Sequence, residues 1–368
     1  MGIFKTPSIS AAKANSVDIF YLAWLVGAIV TICGALTYSE IGLHLPSIGG
    51  YYNIFNTLYH KSIGFTINIL ILISNAASLA IVAIIGSEYL SHLLTIICEW
   101  TLTYWQQTCF ASLFIIIFWI LNLKGLKSGS FTQNILMGLK ILLIIIIISA
   151  QFIPHNNLIK ASEIAPNLMN EHNSFYSFIL CLVSIAFTYG GFQQTLNFSG
   201  EVKDIKIFKL SMIIGVCFLG LLYLGVCVAY VKVIGFENLG QTQAIGAVVF
   251  QFLFGKYGGI IFDCCMILSV LAYVNVILLS NPRVLFAMSS AKLLPKFLMK
   301  YNQKSGVFSN SLAVFSMLTL LVIVIGKSVD KLINFSIFID SMGMILSGIV
   351  LFYLPKKLNL KQLHIKYK

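Results

Sequence analysis

The 368-residue chain is 58% hydrophobic and only 10% charged, with a mean hydropathy of +0.92. Soluble domains carry about 25% charged residues, so this much apolar surface excludes a water-soluble protein and calls for a bilayer as solvent. The net charge of +12 is spread over many loops, which reads as control of membrane topology and excludes a nucleic-acid-binding patch.

The chain opens MGIFKTPS. These residues fit the lipidation pattern M-G-x-x-x-[ST] with Gly2 as acyl acceptor, and they also fit the second half of a membrane helix. Fourteen residues over 2–15 would rise about 21 Å, short of a hydrocarbon core of about 30 Å. Stretches free of Asp, Glu, Lys and Arg follow at 19–39, 62–87, 100–123, 172–200, 210–231, 264–282 and 305–326, and two more, 132–153 and 332–354, carry one charge each, Lys140 and Asp340. Each is long enough to span, since a spanning helix needs about 20 residues. Nine spans are therefore expected after the stub.

The stretch 238–255 is uncharged but holds Asn238, Gln241, Gln243 and Gln251. If it does not span, sixteen Lys and Arg share the side of the C-terminus, and only Lys160, Lys232, Lys256, Lys327 and Lys331 lie opposite. If it spans, the split is nine against twelve. Positive charge gathers on the cytoplasmic side, so 238–255 is expected to be an outer amphipathic helix and the C-terminus to be cytoplasmic. The eight cysteines show neither a CxxC pair nor zinc spacing, so free thiols and no metal are expected. Asn-Phe-Ser at Asn197 and Asn334 falls in apolar runs where glycosylation cannot occur.

Five stretches carry a family resemblance: GIFKTP at 2–7, GALTYSEIG at 34–42, LPSIGGYY at 45–52, FTYGGFQQTLNFSGEV at 187–202 and SNPRVLFAMSSAKLLP at 280–295. In this order they resemble the amino acid–polyamine–organocation superfamily of permeases, and most of all its L-type amino acid transporter branch. The resemblance implies an all-α integral membrane protein of LeuT-like fold, two inverted repeats of five helices with helices one and six broken in mid-membrane. Residues 1–153 would be the first repeat, 154–173 an outer loop, 174–354 the second repeat and 355–368 a cytoplasmic basic tail. It also implies that the first half of helix one and helices eleven and twelve are missing, which favours the membrane-helix reading of the opening residues and an N-terminally truncated chain.

The function implied is secondary active transport of amino acids by alternating access in a plasma or inner membrane, proton-coupled or by exchange, without a cofactor. The partners would be an amino acid, the bilayer and a proton. A non-transporting remnant of such a permease is the alternative. A membrane-embedded enzyme is a further one, against which stands the lack of HExxH, GxSxG, P-loop or paired-carboxylate motifs.

The same resemblance, with the chemistry of broken helices, nominates the site. Half-helix N-termini present free N–H groups to a substrate carboxylate. Gly2 and Ile3 would supply them in helix one. Gly190 and Gly191 lack a Cβ and permit an irregular backbone in helix six, or else serve only close helix packing. Phe187 matches the family's gating aromatic, with Tyr189 beside the break. Asn275 would line the pocket or bind a neighbouring helix. Lys140 is a buried amine that must be paired, wetted or neutral; it matches a coupling lysine, with Ser280 as a candidate partner, or it snorkels to water. Asp340 would bind a proton, select a cationic substrate or be a structural acid. Glu40, Glu201 and Arg283 at cytoplasmic helix ends would form an inner gate or solvated surface pairs.

Overall fold

A computed structural model describes residues 2–153, 173–242, 244–326 and 329–357. All of the expected outer loop 154–173 but its last residue, and most of the basic tail 355–368, fall outside the described residues, as does the side chain of Phe187.

A 3₁₀ turn at Gly2–Phe4 leads into α1 (Thr6–Ala11), which has Pro7 in its first turn, where a missing N–H costs nothing. Helix α2 (Val17–His44) starts at Ser16, whose hydroxyl accepts the N–H of Ile19 at 3.3 Å. A short α3 (Gly50–Leu58) precedes α4 (Lys61–Cys98). Helix α5 (Tyr104–Leu123) opens with a capping box of Thr103 and Gln106, and α6 (Leu126–Ser149) follows. After the undescribed segment come α7 (Ser174–Tyr189) and a 3₁₀ helix at Phe192–Glu201. Asp204 then caps α8 (Ile205–Ile234), accepting the N–H of Lys206 at 2.8 Å. Short helices α9 (Phe236–Leu239) and α10 (Ile245–Phe254) lead to α11 (Gly258–Ser290), α12 (Ser309–Ile325) and α13 (Val329–Lys357).

Among the described residues, six stretches are long and apolar enough to cross a membrane: Val17–His44, Lys61–Cys98, Tyr104–Leu123, Lys127–Phe152, Ile205–Ile234 and Ile245–Ser290. Shorter apolar helices lie at Ser174–Ala186, Ser309–Ile325 and Phe335–Val350. Each of these overlaps one of the stretches expected to span, but the last three are shorter than a crossing helix of about 20 residues. The α10 helix has ten residues and is set off from α11 by Gly255–Tyr257, so at about 15 Å it is too short to cross on its own.

Most spanning helices present one exposed apolar face and one buried face. On α5, Leu113, Ile116, Ile117 and Ile120 are exposed, while Ala111, Phe114, Ile115 and Phe118 are buried. On α4 the buried residues include many small or polar ones, among them Asn68, Ser74, Asn75, Ala76, Ala80, Ala83 and Gly86, beside Ile71, Leu72, Leu79 and Ile81, and α4 packs along α11. Small residues let helices approach closely in lipid, where no hydrophobic drive joins them. Trp100, Tyr104 and Trp105 are exposed at the junction of α4 and α5, a place suited to a membrane interface.

Two expected boundaries need correction. Helix α4 runs eleven residues past position 87, and α11 extends beyond 264–282 at both ends. Charged residues were taken to close these spans. Charged side chains instead sit inside the helices: Glu88 within α4, and Asp263 and Arg283 within α11. Asp263 is met by His92 at 2.6 Å, and Arg283 by Glu201 at 2.6 Å.

Candidate functional site

Two interruptions of helical structure face each other. Helix α7 stops at Tyr189, where Gly190 turns to ψ 164° and Gly191 takes φ 111°. A positive φ of this size is strained for any residue with a Cβ, which is why the chain breaks at this pair. A Cβ on Gly191 would meet nothing within 4 Å, and both glycines are exposed, so the break borders open space. The second interruption is the Gly2–Phe4 turn and α1. A Cβ on Gly2 would lie 2.5 Å from Thr188 Oγ1 and 2.9 Å from Thr188 Cα. Thr188 in turn donates to Thr6 Oγ1 at 2.6 Å. The N-terminal segment is thus docked on the last turn of α7, one residue before the break.

Ile3 and Phe4 are buried, and Phe4 packs edge-on against Phe262 at 6.2 Å. The side chain of Ile3 is therefore a core anchor, and what it can offer a ligand is backbone. Tyr189 is corrected in the same way. It is 2% exposed, its hydroxyl donates to the Trp24 carbonyl at 3.4 Å, and its ring packs on Trp24 and Tyr223. It faces the core rather than the opening, because the last turn of α7 directs it against α2.

Beyond the break, side chains tie the 3₁₀ segment to its surroundings. Gln193 Oε1 accepts the N–H of Gly191 at 2.8 Å. Gln194 Nε2 donates to Asn75 Oδ1 on α4 at 3.0 Å, and Asn197 Nδ2 donates to Ser280 Oγ on α11 at 2.9 Å. Ser280 also donates to Gln194 Oε1 at 3.2 Å, and Asn75 donates to Asn281 Oδ1 at 2.7 Å. Ser280 is therefore bound to Gln194 and Asn197, where the sequence suggested Lys140. Lys140 lies half-buried on α6.

Asn275 is fully buried. It donates to the Gly129 carbonyl and to Gln133 Oε1, each at 3.0 Å, and accepts from Asn122 at 3.1 Å. This fastens α11 to α5 and α6, the neighbouring-helix role and not a pocket lining. Asp340 on α13 accepts from Ser74 at 3.4 Å, and Ser336 donates to the Ser74 carbonyl at 3.2 Å. A carboxyl group placed between α13 and α4 is costly in a membrane.

The three proposed gate residues separate. Arg283 is 3% exposed, and its Nε and Nη2 donate to Glu201 Oε1 and Oε2 at 2.6 and 2.8 Å. This two-bond fork fixes orientation as well as charge. The guanidinium also sits 4.3 Å from the centre of the Phe198 ring. Glu40 is not part of this arrangement. It is bound to Lys209 and lies 3.5 Å from His44, because residue 40 faces α8 while Glu201 faces α11.

Sequence reasoning missed Thr6, Thr188, Asn75, Gln194, Asn197 and Asn281. Their shared signal is an uncharged polar side chain inside an apolar span. It also missed the His92–Asp263 pair, in which Asp263 is nearly buried and His92 mostly exposed.

Comparison with known proteins places this geometry in context. The chain is 26% identical to the serine/threonine exchanger SteT of Bacillus subtilis over 362 residues, covering 97% of this chain and 80% of that protein. It is 25% identical over 349 residues to the human large neutral amino acids transporter small subunit 2, covering 92% of this chain but only 63% of that protein. Among solved structures it resembles Mhp1, a nucleobase-cation-symport-1 family transporter in a closed conformation, with a TM-score of 0.59 over 97% of this chain and 76% of that one, at 12% identity. That likeness supports an all-α, multi-span, LeuT-like fold with discontinuous helices. Residues 1–365 match the model of the amino acid permease family, and the chain belongs to that family.

Proposed function

We propose that this chain moves amino acids across a membrane by alternating access, as a secondary active transporter. The observation that carries this reading is the docking of the Gly2–Phe4 turn against the end of α7, one residue before the Gly190–Gly191 break. Interrupted helices leave N–H and C=O groups without intrahelical partners. At mid-membrane such groups are tolerated only where they line a cavity or bind a ligand. Free N–H groups after Gly191 and at Gly2–Phe4 suit a carboxylate, and free carbonyls at the end of α7 suit an ammonium. An α-amino acid carries both.

Two relatives are named for serine and threonine and for large neutral amino acids. We therefore take the substrate to be a neutral amino acid. The fold numbering follows: the Gly2 segment belongs to helix one, the Gly190–Gly191 break to helix six, and Phe187 to the gating position. Lys140 and Asp340 are the candidates for coupling, since each is an ionisable group within a spanning helix. The Glu201–Arg283 pair closes the cytoplasmic side, in the orientation that the lysine asymmetry supports.

Counterflow in proteoliposomes tests the reading. Vesicles loaded with unlabelled neutral amino acids should accumulate labelled external substrate above empty vesicles, in a saturable way. Equal uptake by protein-bearing and protein-free vesicles, across a panel of neutral, basic and acidic amino acids, overturns it.

A further inference from the structure

The segment after the break is unusual in its helix type. All ten residues of Phe192–Glu201 are 3₁₀, whereas runs beyond three or four residues are uncommon because their hydrogen bonds are poorly aligned. Something outside the segment must hold it. Gln194 and Asn197 are three residues apart, and at three residues per turn they fall on one face. Gln194 reaches Asn75 on α4 at 3.0 Å, and Asn197 reaches Ser280 on α11 at 2.9 Å. Asn197 also donates to Gln194 Oε1 at 3.2 Å, so the two amides brace each other. Asn281 supports Asn75 from behind at 2.7 Å. Every member of this cluster is uncharged, so it can release and re-form without the desolvation cost of an ion pair.

We propose that Gln194 and Asn197 are positioning residues that hold the half-helix 192–201 in its 3₁₀ form against α4 and α11, and that this side of the molecule opens when they release and the segment relaxes to an α-helix. The inference rests on the transporter reading above. The geometric consequence follows from the two helix types. Ten residues span about 20 Å as 3₁₀ and about 15 Å as α-helix, so relaxation shortens the segment by about 5 Å. It also unwinds the segment by about 20° per residue, from 120° to 100°. Residue 201 would then turn away from Arg283, and the Glu201–Arg283 fork would open as a result and not as the trigger.

The test is a distance measured across this side of the intact protein. Spin labels are introduced as unnatural amino acids at exposed Lys203 and Lys304, which leaves the eight native cysteines in place. The unmutated chain should show a main distance, and Gln194→Ala/Asn197→Ala should move most of the population to a second distance about 5 Å away. In two-sided proteoliposome assays the same variant should change the half-saturation concentrations at the two faces in opposite directions, each at least threefold. A purely structural loss would move both the same way. One unchanged distance in both proteins overturns the proposal, as does a same-direction change at both faces. If the double variant does not fold, Asn281→Ala is measured instead and should give a smaller shift of the same sign; failure of both variants to fold marks the cluster as part of the fold and also overturns it. If the unmutated chain shows no uptake, the transporter reading fails, and the distance measurement still decides the 3₁₀ proposal.

Discussion

Gly2 and Thr188 are in contact so close that no side chain fits between them: a Cβ on Gly2 would stand 2.5 Å from Thr188 Oγ1. Thr188 cannot retreat, because its hydroxyl is bound to Thr6 at 2.6 Å and its backbone belongs to α7. This contact brings the two interrupted segments together. Gly2→Val should therefore push the N-terminal turn off α7. Overpacking of this kind costs about 1–3 kcal/mol, so thermal unfolding in detergent should begin a few degrees lower. Substrate affinity should fall by a much larger factor than stability alone explains. Thr188→Ala should not rescue Gly2→Val, because Thr188 Cα and Cβ would still stand 2.9 Å from the new Cβ.

The Glu201–Arg283 fork predicts an asymmetry between its two partners. Arg283 is 3% exposed and Glu201 25%. Removing the partner of a buried charge costs about 3–5 kcal/mol. Glu201→Gln should thus leave a buried guanidinium uncompensated and lower the unfolding temperature markedly. Glu201→Asp should be milder. The swap Glu201→Arg/Arg283→Glu should not restore stability, because the larger guanidinium would then sit at the more exposed place and lose its bond to the Leu279 carbonyl. Differential scanning fluorimetry of the four proteins checks the order.

Lys140 provides a prediction about coupling. Uptake by the unmutated chain should respond to an imposed pH gradient, and Lys140→Ala should remove that response. An unchanged pH profile would mark Lys140 as an amine that reaches the headgroups along its own stem.

Topology is tested by labelling from outside. In a chain whose exposed cysteines Cys33, Cys98, Cys109 and Cys264 are replaced by serine, a cysteine placed at exposed Glu237, between α8 and α10, should react with a membrane-impermeant thiol reagent in whole cells, and one at exposed Asn302, between α11 and α12, should not. The reverse pattern would invert the orientation inferred from the lysines.

Much of the fold was legible in the sequence because membrane spans announce themselves by length and apolarity. The Gly190–Gly191 break was legible too, as one of two readings of the paired glycines and the one the family resemblance favoured. Four features were not. Charge was read as the end of a span, and Asp263 and Arg283 show why that fails: each is met by a residue distant in sequence, His92 or Glu201. Asn275 read equally as a pocket residue or as a link to a neighbouring helix, and its bonds to Gly129 and Gln133 are what show the link. The side chain direction of Tyr189 depends on where α7 ends, which no local pattern fixes. The cluster of Asn75, Gln194, Asn197, Ser280 and Asn281 joins three elements across up to 206 residues of chain, and a single sequence holds no record of that proximity.

Direct binding at the two breaks tests the central claim most closely. Labelled neutral amino acids are titrated onto purified protein, unmutated and carrying Gly191→Leu. Space is open around Gly191, so leucine meets no clash there. It must, however, either hold φ 111°, at a cost of about 1–3 kcal/mol, or straighten the break and fill the opening. The account predicts saturable binding to the unmutated chain and its loss in Gly191→Leu, with both proteins monodisperse and comparably folded. Equal saturable binding by both proteins, or saturable binding by neither, would contradict it.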